Sequence, residues 1–154
     1  VFWGAACLQP VFWLVVSLLM VDVNVGSVEV ELRELSVLRP REIETLAEAG
    51  VRRPRQLLRR LRDVEAGAAL RRRLGWSDER LAAVARQAEL FTFKGIGGSL
   101  GLLLERVGVR RVRDLARWDE EELHSRLLAE LRGVRHSLRL DMVRVWVLAS
   151  RDHG

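Results

Sequence analysis

Lys94-Gly95-Ile96-Gly97-Gly98 is the stretch whose reading decides the fold. Glycines at 95, 97 and 98 let the backbone turn where a Cβ would clash, and they admit another chain at close range. The residues that follow, Ser99-Leu100-Gly101-Leu102-Leu103-Leu104-Glu105-Arg106-Val107, read as a helix. Its first turn would aim unpaired N–H groups at whatever lies against the turn, and a phosphate oxygen suits that position. The stretch is therefore expected to be a hairpin between two helices. It either holds an anionic backbone or serves only to pack Ile96 into the core.

Working outward, the pattern is helical from Arg33 to the end. Pro40 and Pro54 each fit the first turn of a helix, where the missing N–H costs little. Ile43, Leu46 and Ala47 form one apolar stripe, stopped by Gly50, and Leu57, Leu58 and Leu61 form the next. Ala69, Leu70 and Leu74 lie on a third helix ended by Gly75. Ser77 is a good N-cap for a fourth, which carries Leu81, Val84, Ala85 and Ala88. Beyond the hairpin, helices are expected near 99–107, 111–117, 120–132 and 138–150. The acidic run Asp119 to Glu122 reads as a capped helix start and not as a metal site.

The chain contains an internal repeat at an offset of 58. Gly50-Val51-Arg52-Arg53-Pro54-Arg55-Gln56-Leu57 matches Gly108-Val109-Arg110-Arg111-Val112-Arg113-Asp114-Leu115. The same register lays Leu46 on Leu104, and Ser36-Val37-Leu38-Arg39-Pro40 on the glycine stretch. Two copies of one hairpin unit, the first without its glycines, are expected to pack about a pseudo-twofold axis.

Composition bounds the function. With 154 residues, 49% of them hydrophobic, the chain can bury one real core. Residues 1–32 carry Asp22, Glu29 and Glu31 and no basic side chain, so residues 33–154 hold all 26 basic residues against 18 acidic ones. Lys94 is the only lysine. A domain of +8 suits nucleic acid or an anionic membrane surface; arginine in place of lysine is also what a GC-rich genome would produce. Cys7 is the single cysteine, which excludes an internal disulfide and a thiolate metal cluster. His124, His136 and His153 lie far apart, and no metal or cofactor is expected. Ser99 has no His or Asp placed to activate it, His124 beside Leu123, Leu127 and Leu128 reads as structural, and Trp76, Trp118 and Trp146 read as core. The expectation is a protein that is not an enzyme.

Val1 to Val21 contain no charged side chain. A helix of that length would reach across a bilayer, about 30 Å. Against this stand the lack of a positive n-region and Pro10 near the middle. A chain opening on Val is expected of a fragment or an alternative start codon. Membrane anchor, extension and part of the core all stay open for residues 1–21, with 22–32 as linker or short hairpin from the alternation of Val21, Val23 and Val25 and of Val28, Val30 and Leu32. If anchored, the arginine-rich remainder would lie on the cytoplasmic side; a cytoplasmic location is the default.

Lys94-Gly95-Ile96-Gly97, the helix after it, Gly108-Val109 and Val112-Arg113-Asp114-Leu115-Ala116 resemble tandem helix-hairpin-helix proteins. The chain is more closely similar to a bacterial and archaeal helix-hairpin-helix family known as a domain of unknown function. That family also shows Gly75-Trp76-Ser77, the run Ala88 to Gly97, Glu121-Glu122-Leu123-His124 and a closing helix with Trp146. The resemblance covers roughly residues 34–150. It implies an all-α fold, a tandem helix-hairpin-helix of two pseudo-repeats with an apolar N-terminal extension. Relatives with better-known hairpins bind DNA or RNA phosphates without sequence preference. Here Arg39-Pro40 replaces the glycines of the first hairpin, which counts against symmetric two-site duplex binding.

Two functions follow. In the first, the amides of Gly95, Gly97 and Gly98, with Lys94 and the helix start at Ser99, hold a nucleic-acid phosphate. Arg110, Arg111 and Arg113 add charge-assisted contacts if they share that face. In the second, the chain is a protein-interaction module, tethered to a membrane through residues 1–21, and Arg71-Arg72-Arg73 is a solvated or membrane-proximal patch.

Overall fold

The computed structural model describes residues 29–153, and over them the fold is all-α. A 3-10 turn at Leu32–Glu34 precedes α1 (Pro40–Glu48), α2 (Pro54–Arg62), α3 (Val64–Leu74) and α4 (Asp78–Thr92). A second 3-10 turn, Phe93–Gly95, leads into α5 (Gly97–Arg106), α6 (Val112–Leu115), α7 (Glu120–Glu130) and α8 (Leu140–Arg151).

Local chemistry accounts for most of these boundaries. Pro40 and Pro54 stand at the first position of α1 and α2. Asp63, Ser77 and Asp119 cap α3, α4 and α7, accepting from the amides of Ala66, Arg80 and both Glu121 and Glu122. Gly75, at φ 67°, closes α3. The helix expected over 111–117 is a single turn, because the amides of Ala116, Arg117 and Trp118 bond three residues back and tighten the chain out of the α ladder. Ala69, expected on the apolar stripe of α3, faces solvent instead. No strand continues over the described end of the alternating segment. Leu32 opens a 3-10 turn, and Val30 and Leu32 are buried, so the core reaches back into residues read as linker. The rest of that segment, and the anchor expected over 1–21, lie outside the described residues. Among the described residues no helix is long and apolar enough to cross a membrane.

Hydrogen bonds recur 58 residues apart. The amides of Ala49, Gly50 and Val51 donate to the carbonyls of Thr45, Ala47 and Leu46. Those of Val107, Gly108 and Val109 donate to Leu103, Glu105 and Leu104. Gln56 Oε1 accepts from the Arg52 and Arg53 amides, as Asp114 Oδ2 does from Arg110 and Arg111. Leu38 N donates to Leu35 O, and Ile96 N to Phe93 O. Leu46, Val51 and Leu57 are fully buried, and so are Leu104, Val109 and Leu115. Packing follows suit: α2 lies on α4 as α6 lies on α8, and α1 touches α3 as α5 touches α7. The two sets share one core, in which Phe91 and Trp146 are the largest fully buried side chains. Helices α4 and α5 approach so closely that a Cβ on Gly101 would sit 2.2 Å from Phe91 Cδ1.

Side chains of α4 grip the loop before α1. Gln87, buried, accepts from Val37 N at 3.0 Å and donates to Ser36 Oγ and Glu105 Oε1, each at 2.8 Å. Arg80 donates to Val37 O at 2.6 Å and pairs with Glu42. Glu42 also accepts from the Trp76 indole N–H and from Arg39 N. Burial works to raise the Glu42 pKa, but the Arg80 guanidinium and the N–H groups of Arg39 and Trp76 outweigh it and hold the carboxyl below its ordinary 4.5.

Candidate functional site

The hairpin between α4 and α5 is built on backbone conformations that few residues tolerate. Lys94 (φ 45°), Gly95 (φ 73°) and Gly97 (φ 75°) are left-handed, and Ile96 between them is buried as the anchor. Lys94 is the one non-glycine residue with positive φ among the described residues, and its side chain is exposed. A Cβ at Gly95 or Gly97 would meet nothing within 4 Å, so that surface is open to an approaching group. Gly98 is different. It is buried, and its Cβ would lie 2.7 Å from Glu34 Oε1, so a carboxylate already rests over the first turn of α5. Ser99 is exposed.

Helix α5 also begins without a side-chain acceptor. Every other α-helix among the described residues has one at its start: Glu42, Gln56, Asp63, Ser77, Asp114, Asp119 and Asp141 in order. No side chain accepts from the N–H groups at this end of α5, and its partial positive charge faces solvent apart from the Glu34 carboxylate over Gly98.

The arginines expected to help are not near. Arg110, Arg111 and Arg113 lie past the far end of α5, and ten helical residues separate the ends by about 15 Å. Arg111 is paired with Asp114, Arg113 is exposed, and Arg110 lines a separate cleft with Val37, Arg86, Gln87 and Glu105. What reaches the glycine hairpin is the start of α2. Arg53 and Arg55 line a cleft of about 330 Å³ together with Gly95, Gly97, Thr92 and Glu29. Arg53 pairs with Glu29; Arg55 is exposed and has no partner among the described residues. The signal for these residues lay in the repeat. At the offset of 58, Arg53 and Arg55 correspond to Arg111 and Arg113; the first two line the cleft at Gly95, while at the corresponding Val37 only Arg110 lines the cleft.

The loop before α1, expected as a first hairpin, is closed by its own protein. Val37 N is taken by Gln87, Leu38 N by Leu35 O and Arg39 N by Glu42. Elsewhere, His124 is half-buried on α7 and its Nε2 has no hydrogen-bond partner among the described residues.

The model of a family described as a domain of unknown function (DUF4332) matches residues 37–153. The chain belongs to this family. The DUF4332 match begins at Val37 and so takes in α1 to α8, the glycine hairpin and both sets of turn arginines. No curated protein and no solved structure matches the chain.

Proposed function

We propose that this protein is a non-catalytic, sequence-nonspecific binder of nucleic-acid backbone, with Phe93–Ser99 as its phosphate site. In this reading α4, the hairpin and α5 form a helix-hairpin-helix, and the recurrence at 58 residues is a tandem of two such units. The observation that carries it is the start of α5, which lacks a side-chain acceptor and follows an open left-handed turn bearing Lys94. A phosphate oxygen there would accept from backbone N–H groups and meet the positive end of the helix. The surroundings add charge without reading bases. Residues 52–62, which start beside the hairpin, contain six arginines and no acid. Such contacts position a backbone and carry no sequence information.

Fluorescence anisotropy with the 154-residue chain and labelled oligonucleotides tests this. Affinity is expected to fall steeply with salt. Lys94→Glu is expected to weaken binding at least tenfold, and Gly97→Val, which forces a β-branched residue to φ 75°, to do the same with the helical content unchanged. Binding that both variants leave intact would remove the hairpin from the site, and absence of binding would refute the reading.

A further inference from the structure

The two hairpins share their hydrogen-bond pattern but differ in what they leave available, and the difference bears on the ligand. At the first, the amides of Val37, Leu38 and Arg39 are all occupied by this chain, and Arg80 also holds the Val37 carbonyl. At the second, the counterpart positions 95 and 97 face open space. The clefts beside them hold the same charges, two arginines and one carboxylate each, so the difference lies in the backbone. The one at Val37 contains Glu105 with Arg86 and Arg110, and Gln87 fills its inner side. The one at Gly95 and Gly97 contains Glu29 with Arg53 and Arg55; Glu29 pairs with Arg53, and Arg55 has no ion pair among the described residues.

We infer that the ligand is one nucleic-acid strand, its backbone running from the hairpin at Lys94 across the cleft to Arg55 and Arg53. This rests on the phosphate-site reading above and assigns it a substrate class. A duplex held symmetrically needs a phosphate site for each strand; this molecule offers one. Arg55 occupies the second position of α2, so its guanidinium projects from the helix start and can fork onto a phosphate. Arg53 joins by exchanging Glu29, a pair exposed on both sides and held only weakly. Three cations on a single strand correspond to a log–log salt slope of about −2, whereas two hairpins and their arginines on a duplex correspond to about −5.

The test is anisotropy of the 154-residue chain with a labelled 20-nucleotide oligothymidylate and a 20-base-pair duplex, each across a salt series. The single strand is expected to bind with a slope near −2. Arg55→Glu is expected to weaken it about tenfold; an acid at the second position of a helix favours the helix dipole, so α2 stays folded. Arg113→Glu, the counterpart substitution on α6, is expected to change affinity less than twofold. Glu29→Gln, which releases Arg53, is expected to tighten binding two- to threefold. A duplex slope near −5, with Arg55→Glu and Arg113→Glu equally damaging, would overturn the single-strand inference and leave the hairpin as a phosphate site. Loss of binding to both probes in the unaltered chain would overturn the phosphate-site reading and this inference with it.

Discussion

Replacing Gly101 by alanine sets two effects of known size against each other. Gly101 lies within α5, where alanine is better than glycine by about 1 kcal/mol on helix propensity alone. A Cβ there, however, would lie 2.2 Å from Phe91 Cδ1 and 2.3 Å from Cε1, well inside van der Waals contact. Phe91 is fully buried in the core, so its ring cannot swing into solvent. Forcing extra volume into such a site costs about 1–3 kcal/mol, and here the contact is with a rigid ring, so the cost lies at or beyond the upper end. The net expectation is a loss of about 2 kcal/mol, or a fall in Tm of about 6 °C for a domain of this size. Thermal and urea unfolding followed by circular dichroism measure it. Phe91→Leu in the same chain makes room for the methyl group, and the double-mutant cycle should show a favourable coupling of about 1 kcal/mol or more. Gly98→Ala meets Glu34 Oε1 at 2.7 Å, which can turn away, but also Glu34 Cβ at 2.9 Å, which is fixed to the backbone; that variant should lose about 1 kcal/mol. A Gly101→Ala protein more stable than the parent would refute the close approach of α4 and α5.

Glu42 has a lowered pKa, so the stability it contributes is present above the ordinary carboxylate range and is lost as pH falls below 4.5 toward its folded value. Glu42→Gln should cost about 2 kcal/mol at pH 7, leaving Arg80 without its partner, and should flatten the acid limb of a stability–pH curve measured by urea unfolding. Gln87→Leu strands Val37 N and should lower stability by about 2 kcal/mol in the same assay. His124→Leu removes a polar atom without a partner among the described residues, and should raise stability by about 1 kcal/mol. Glu34→Gln takes the negative charge from over the first turn of α5 and should tighten oligonucleotide binding about threefold at low salt, as read by anisotropy.

The helical elements were legible because their signals are local. Pro40, Pro54, Ser77, Asp119 and Gly75 mark helix ends through bonds no more than a few residues long, and the sequence repeat matches a repeat of hydrogen bonds. The left-handed turn before α5 was legible because glycines cluster there. What could not be read were side-chain partners forty or fifty residues away: Gln87 with Val37, Arg80 with Glu42, and Arg53 and Arg55 beside the glycines. Arg110, Arg111 and Arg113 were grouped with Lys94 because they are close in sequence. Helix α5 separates them from Lys94, and only the tertiary packing of α2 shows that Arg53 and Arg55 take their place.

The grip of α4 on Val37 also sets an order of events during synthesis. Arg80 holds the Val37 carbonyl and Gln87 its amide, over separations of 43 and 50 residues. At about 5–20 residues per second, a nascent chain waits some 3–10 s after Val37 is added before both holders have been made. The glycine hairpin needs no such delay, since the bond from Ile96 to Phe93 forms within its own turn. The loop at Val37 therefore waits far longer after its own synthesis than the glycine turn does, and through that interval the only acceptors for its amides are its own residues, water and whatever meets the growing chain.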